Sequence, residues 1–456
     1  MRLIAIFMMF LPVYGVNTIK RPVKFKFSLN SGVRHVLIHD LDGDGKKEMI
    51  FLGKGKNIAI YTFKDSFEAG VDTSFEGALI DFGDIYPEKK GDEIVVLENG
   101  SVSIFKYSGG RINLLRKFNL KPSIIYPESS KVLRLGRAIY KVNGRNLILF
   151  LYPYKGILID TNGVRKEFDI FTREETSTFS DRSSPSEQSD IYSVKSSYTI
   201  PVMFFKDIDG DSSDEFLQFI RDTLFKGNNS LLDLSFLSSG DKIKIFPPKI
   251  YVRDINNDGL VDVLVGKGEI GAPLGKRSSV YLFLNKNGKF GRLPDQVIIS
   301  ESFSPEVVLK DINGDGKLDL ILTTSGFNLL SLIKLILTRK IDLKYSIFLF
   351  NEHSFTKTPV YTRSFSIKFG GDSTFTGVDF SMDFDRDGMG DIVYFKKDKI
   401  EIYPGNGRTY AKKPSQVFEV KTSSNYMVDD IDGNGRLDFL FWNSKDGATD
   451  VWGLLR

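Results

Sequence analysis

One short acidic phrase recurs six times in this chain, and its spacing restricts what the backbone around it can do. The copies are Asp40-Leu-Asp42-Gly-Asp44-Gly-Lys-Lys-Glu48, Asp207-Ile-Asp209-Gly-Asp211-Ser-Ser-Asp214, Asp254-Ile-Asn256-Asn-Asp258-Gly-Leu-Val-Asp262, Asp311-Ile-Asn313-Gly-Asp315-Gly-Lys-Leu-Asp319, Asp383-Phe-Asp385-Arg-Asp387-Gly-Met-Gly-Asp391 and Asp430-Ile-Asp432-Gly-Asn434-Gly-Arg-Leu-Asp438. Side-chain oxygens at positions 1, 3 and 5 converge on one hard cation when a tight turn at position 6 folds the loop. A carbonyl at 7 and a carboxylate at 9 complete a shell of roughly 6–8 oxygens, the coordination that Ca2+ takes. Without a cation, three or four carboxylates in so small a space repel one another.

A helix–loop–helix calcium site requires a bidentate Glu at position 12. Position 12 is Phe51 in the first copy and Leu322 in the fourth, so that structure is excluded. Each phrase runs instead into a short apolar, β-branched or aromatic segment, such as Met49–Leu52, Val263–Val265, Leu320–Leu322 and Phe439–Trp442. Such runs read as buried strands. A second apolar run precedes each phrase, as in Val33–Ile38 and Val307–Leu309. The phrase therefore links two neighbouring strands of a β-hairpin.

Spacing then predicts the architecture. The last five copies begin at 207, 254, 311, 383 and 430, in steps of 47, 57, 72 and 47 residues. Propeller repeats run roughly 40–50 residues, so the interval from 40 to 207 has room for further units. Two degenerate ones are legible there. One is Asp81-Phe-Gly-Asp84 followed by Asp92-Glu93-Ile-Val-Val-Leu; the other contains Val142-Asn-Gly-Arg-Asn-Leu-Ile-Leu-Phe-Leu, a hairpin almost without acid. Third-strand signals follow in many units (Ile58–Phe63, Val280–Leu284, Ile347–Phe350, Ile400–Tyr403). The expectation is an all-β propeller of about eight four-stranded blades, with seven as the alternative. The last unit lacks a fourth strand after Asp450–Leu455, and the alternating run Val23–Leu29 is predicted to supply it and close the ring.

These repeats resemble FG-GAP/VCBS repeats, the units of the integrin α-subunit N-terminal propeller. The residues that carry the resemblance are Asp254–Gly266, Gly271-Ala272-Pro273 and Phe82-Gly83. The resemblance covers roughly residues 30–455 and implies a calcium-clipped propeller, with up to about six structural Ca2+ sites at the residues numbered above. It implies no single activity, because such propellers host adhesion, sugar binding and catalysis.

Met1–Gly15 combines a basic residue, Arg2, with the apolar stretch Leu3–Val13 and is expected to be a signal peptide. The propeller domain is then 19–456, in an exported protein that is periplasmic, secreted or on the cell surface. The apolar stretch is shorter than the ~20 residues of a membrane span. There is no cysteine, hence no disulfide framework and no thiol chemistry. Lys and Arg number 62 against 58 Asp and Glu, which favours neither nucleic acid nor an anionic membrane as partner. Two insertions interrupt the rhythm: a Ser- and charge-rich segment, 172–197, expected as a mobile loop, and 327–340, expected as a helix. The three histidines, His35, His39 and His353, and the clustered acids form no recognisable catalytic set. The expected function is a binding or adhesion module for a protein or glycan ligand. A calcium-dependent, lyase-like polysaccharide enzyme on the same propeller is the alternative.

Overall fold

The computed structural model describes residues 23–456 apart from 30–31, 64–66, 129, 181–191, 221, 238–248, 272–274, 301–305, 326–328, 369–375, 424 and 446. The expected signal peptide lies outside the described residues. The rest is a β-propeller of eight blades. Their first-to-fourth strands fall within 33–74, 79–119, 139–169, 202–233, 249–300, 306–368, 377–419 and 425–455 plus 23–29. The seven-blade alternative is excluded, because residues 139–169 form a complete four-stranded antiparallel sheet rather than an excursion.

The near-continuous apolar character of the second strands follows from burial on both faces. In blade 1, Ile50 and Leu52 point into the interface with blade 2, whereas Met49 and Phe51 point into the interface with blade 8. In blade 2, Ile94 and Val96 face blade 1, and Val95 and Leu97 face blade 3. The period-2 alternation of a strand thus serves two cores at once. The same partition recurs around the ring, so that each pair of neighbouring blades shares one apolar cluster. Fourth strands are largely exposed, as Arg111–Asn119 and Gln416–Glu419 are, consistent with sheet edges facing solvent.

Val23–Leu29 pairs antiparallel with Ala448–Leu455 along its whole length, from Val23 opposite Leu455 to Leu29 opposite Thr449. Residues from the two ends of the described chain thereby complete one sheet, as the alternation of that run predicts. Phe27 stacks on Tyr61 of blade 1 with ring centroids 5.1 Å apart and meets Phe51 edge-on at 6.1 Å. The closing strand is therefore bonded to blade 8 and packed against blade 1. The close approach also demands Gly453, where a Cβ would lie 2.3 Å from the Phe439 carbonyl oxygen and 2.4 Å from the Phe25 ring.

Antiparallel order places the turns after first and third strands at one face of the ring, and those after second and fourth strands at the other. All the acidic phrases follow first strands and share a face. The excursions lie opposite. Arg173–Ser180 and Tyr192–Thr199 pair as a long hairpin between blades 3 and 4, where a loop was expected. Asp262–Gly271 and Gly275–Phe283 form the tall second-to-third-strand hairpin of blade 5. Helix α1, Leu329–Thr338, sits between the second and third strands of blade 6, within the expected bounds 327–340. Leu335 packs into the blade 6–blade 7 core, while Ile336 and Leu337 are exposed.

Replacing Phe27 by Ala removes aromatic contacts that join blade 8 to blade 1, and should lower stability by on the order of 2 kcal/mol, less than a fully buried Phe would cost. A denaturant melt with unchanged slope and a lower midpoint is the expected result.

Candidate metal sites

Each acidic phrase is a reverse turn built from its own carboxylates. The position-1 side chain accepts from the position-6 N–H in all six copies: Gly45, Ser212, Gly259, Gly316, Gly388 and Gly435 bond Asp40, Asp207, Asp254, Asp311, Asp383 and Asp430 at 2.7–3.0 Å. The position-5 side chain accepts from the position-7 N–H, as in Asp44 with Lys46 and Asn434 with Arg436. These bonds bend the chain so that positions 4 and 6 are left-handed. Position 6 is Gly in five copies, the residue for which that conformation is least costly. Ser212 holds the same place with φ 66°.

Position 9 is the first residue of the second strand and is buried: Glu48, Asp262, Asp319, Asp391 and Asp438 are at most 2% exposed. One of its oxygens accepts from the position-2 N–H: Leu41 bonds Glu48 at 2.7 Å, Ile255 bonds Asp262 at 3.0 Å, and Ile312, Phe384 and Ile431 repeat the contact. In blades 5 to 8 the other oxygen accepts a backbone N–H from just beyond the third strand, that of Asn285, Phe350, Gly405 or Arg456. Burial nevertheless outweighs these donors. It pushes Asp262, Asp319 and Asp438 up to about 6 and Glu48 up to about 7, with the neighbouring loop carboxylates adding to the effect.

Carboxylate oxygens of Asp40, Asp42 and Glu48 lie within 4.8 Å of one another, as do those of Asp383, Asp385 and Asp391 and of Asp430, Asp432 and Asp438. Asp430 Oδ1 is buried without a hydrogen-bond partner. Blades 5 and 6 carry the amides Asn256 and Asn313 at position 3, where each amide nitrogen donates to the position-5 carboxylate. Hard oxygens, several acids held desolvated, and one orphaned carboxylate oxygen could hold a metal ion.

The second copy needs a correction. Its position 9 is Glu215, which takes the Ile208 N–H at 2.9 Å and joins Asp207 and Asp209 in the acidic cluster. Asp214 instead accepts from the Asn143 N–H of blade 3 at 2.5 Å, outside the loop. The strand begins at Glu215, one residue later than the acidic run suggests.

Position 2 is a further functional residue of the phrase, one that a search for oxygen ligands passes over. Leu41, Ile208, Ile255, Ile312, Phe384 and Ile431 are all buried, each in the core shared with the following blade. Its signal was present in the repeated Asp-x-Asp or Asp-x-Asn, where x is always a large apolar residue. The position-2 carbonyl also ties adjoining loops together, accepting from the position-8 N–H of the next one: Ile431 from Lys47 at 3.0 Å and Ile255 from Leu318 at 2.8 Å. The phrases of blades 8 and 1, 5 and 6, and 6 and 7 are joined in this way along one rim.

The two degenerate blades differ from each other. In blade 2, Glu93 keeps the position-9 role and takes the N–H groups of Ile85 and Tyr86, although the loop is longer and lacks the ligand spacing. In blade 3 the whole phrase shrinks to a two-residue turn, Asn143-Gly144, with φ 47° and 76°, the left-handed pair of a tight hairpin. Of the strand histidines, His39 Nδ1 lies 2.7 Å from Asp92 Oδ2 and its ring stacks on Phe82.

A family model described as FG-GAP-like repeat matches residues 254–322, from the blade 5 loop into the second strand of blade 6. No curated protein sequence matches the chain. Among solved structures, BBS1N in its complex with ARL6DN is 9% identical, with 96% of this chain and 98% of that one covered and a TM-score of 0.37. The exotype rhamnogalacturonan lyase YesX is 12% identical, with 94% and 75% covered and a TM-score of 0.40. The WD40 domain of SCAP from fission yeast is 12% identical, with 82% and 96% covered and a TM-score of 0.31. Residues 254–322 thus match an FG-GAP-like repeat, and the chain around them folds as a β-propeller of eight blades.

Proposed function

We propose that the protein is an exported, calcium-stabilised propeller that binds a protein or glycan ligand. The observation that carries the reading is the division of labour between the two faces. Acidic phrases, folded by hydrogen bonds to their own backbone, occupy one rim. The long hairpin of residues 173–199, the tall hairpin of blade 5 and helix α1 rise from neighbouring positions on the opposite face. Insertions of this kind concentrate on the working face of repeat proteins, and the exposed Ile336 and Leu337 on α1 add apolar surface there. Calcium in the phrases would neutralise the rim and rigidify the ring, leaving the far face to recognition. Export suits this arrangement, because calcium outside the cytosol is abundant enough to fill weak loops, and a chain without cysteine must find its staples elsewhere.

The binding reading is tested with a glycan array and a polysaccharide-cleavage assay, each run with and without chelator. Retention of an intact glycan is the expected result; release of shortened product would replace binding by catalysis. A variant in which residues 173–199 are exchanged for a short linker should lose binding while melting within a few degrees of the parent.

Calcium occupancy has its own check. Chelation should lower the melting temperature by several degrees, since a ligand of the native state stabilises it by mass action. Asp311→Ala should weaken one blade without unfolding the ring, because repeat energetics are local. An unchanged melt on chelation would remove calcium from the proposal.

The buried position-9 acids also set a pH dependence. Their folded-state values, near 6 for Asp262, Asp319 and Asp438, exceed the ~3.9 of an unfolded Asp. As pH rises from about 4 to 6 the unfolded chain loses these protons first, so the metal-free protein loses stability across that window. Chelated protein should therefore melt higher at pH 5 than at pH 7.5. Added calcium should narrow the difference, since it favours the ionised form.

A further inference from the structure

The acidic phrases are not equivalent, and the difference lies in what the third strand places opposite position 9. Cross-strand register puts Thr62, Leu284, Leu349, Pro404 and Leu455 next to position 9 in blades 1, 5, 6, 7 and 8. None of these carries a charge. Blade 2 has Lys106 at this place, opposite Glu93. Blade 4 has Lys226 diagonally across from Glu215, within reach of a long side chain on the same sheet face.

Both lysines turn into the loop. Lys106 Nζ donates to the Gly91 carbonyl at 2.7 Å, the Asp92 carbonyl at 3.3 Å and Glu93 Oε1 at 3.1 Å. An ammonium has three protons, and here three oxygens take them. Lys226 Nζ lies 2.5 Å from Asp209 Oδ2 and 3.4 Å from Glu215 Oε1, the position-3 and position-9 carboxylates of the second phrase. It thus bonds two of the oxygens a metal ion would need. In both blades position 9 is Glu, as it also is in blade 1 where Thr62 stands opposite, and here the longer side chain lets Oε1 meet the lysine while Oε2 keeps the position-2 N–H.

We infer that blades 2 and 4 are closed by a lysine ammonium of the chain itself in place of a metal ion, so that the phrase Asp207–Glu215, despite its sequence, is not a calcium site. The inference rests on the calcium reading of the other phrases for its contrast, but the charge neutralisation it describes stands without it. A monovalent ammonium fixed by covalent attachment to the third strand makes these two clips independent of free calcium. They fall on either side of blade 3, which has no acidic loop, so the sector from blade 2 to blade 4 holds together at any calcium level. The insertion hairpin of residues 173–199 springs from that sector, and the metal-dependent clips lie in blade 1 and blades 5 to 8.

The experiment is native mass spectrometry of the intact protein titrated with CaCl2, paired with thermal melts in chelator and in calcium. Lys226→Met should bind one more calcium than the wild type. Its melting temperature should fall by several degrees in chelator, where the second phrase is left with uncompensated carboxylates, and recover in calcium. Lys106→Met should also melt lower, with no recovery in calcium and no added ion, because blade 2 lacks the ligand spacing. An equal calcium count together with an unchanged chelator melt for Lys226→Met would overturn the inference. A wild type that binds no calcium in any loop would overturn the calcium reading instead; a lowered chelator melt of Lys226→Met would then still support the lysine clip, and an unchanged one would reject it.

Discussion

The hydrogen bond from the position-2 N–H to the position-9 carboxylate is the contact on which every blade that carries the acidic phrase depends. It fixes the loop to the first residue of the second strand, the strand buried on both faces. In blades 5 to 8 the second oxygen of the same carboxylate holds the end of the third strand. One side chain therefore sets the relation of three strands. A carboxylate in this place is costly, because desolvation opposes its charge, and a positive group beside it would offset that cost. In blades 2 and 4 that positive group is a lysine; elsewhere the oxygen geometry suits a metal ion.

The apolar half of the phrase transmits this local order around the ring. A buried Leu, Ile or Phe at position 2 sends each loop into the core of the following blade, and the carbonyls of Ile255, Ile312 and Ile431 take an N–H from the loop beyond. Blade-to-blade geometry is thus set by the same residues that fold the loop. Closure adds one non-local term: Val23–Leu29 must find Ala448–Leu455, a pairing across nearly the whole chain, which is entropically expensive and comes late in sequence terms. Its aromatic packing against blade 1 rewards the encounter on both sides of the seam.

Much of this was legible beforehand because it is periodic. Two-residue alternation marked Val23–Leu29 as a half-buried strand, and the loop spacing marked the blades. The apolar run Leu329–Thr338 was visible as a helix for the same reason. What escaped was positional rather than periodic. Asp214 looked like a ligand because acids surround it, but the strand starts at Glu215, and backbone hydrogen bonding decides which carboxylate turns inward. The segment 172–197 read as a loop because Ser and charged residues are poor core formers; Arg173–Ser180 and Tyr192–Thr199 pair in a ladder because backbone pairing does not require a core.

From sequence alone follow the hairpin clips, a ring of seven or eight repeats and the strand that closes it, since these depend on residue types at fixed local separations; the complete sheet at 139–169 decided for eight. Tertiary structure alone decided which face carries the excursions, which core each position-2 side chain enters and which lysines reach into the acidic loops. Those properties depend on cross-strand register and on the contact of one blade with the next. Lys106 and Lys226 are ordinary in the sequence, and only the sheet places each beside the carboxylate whose charge it offsets.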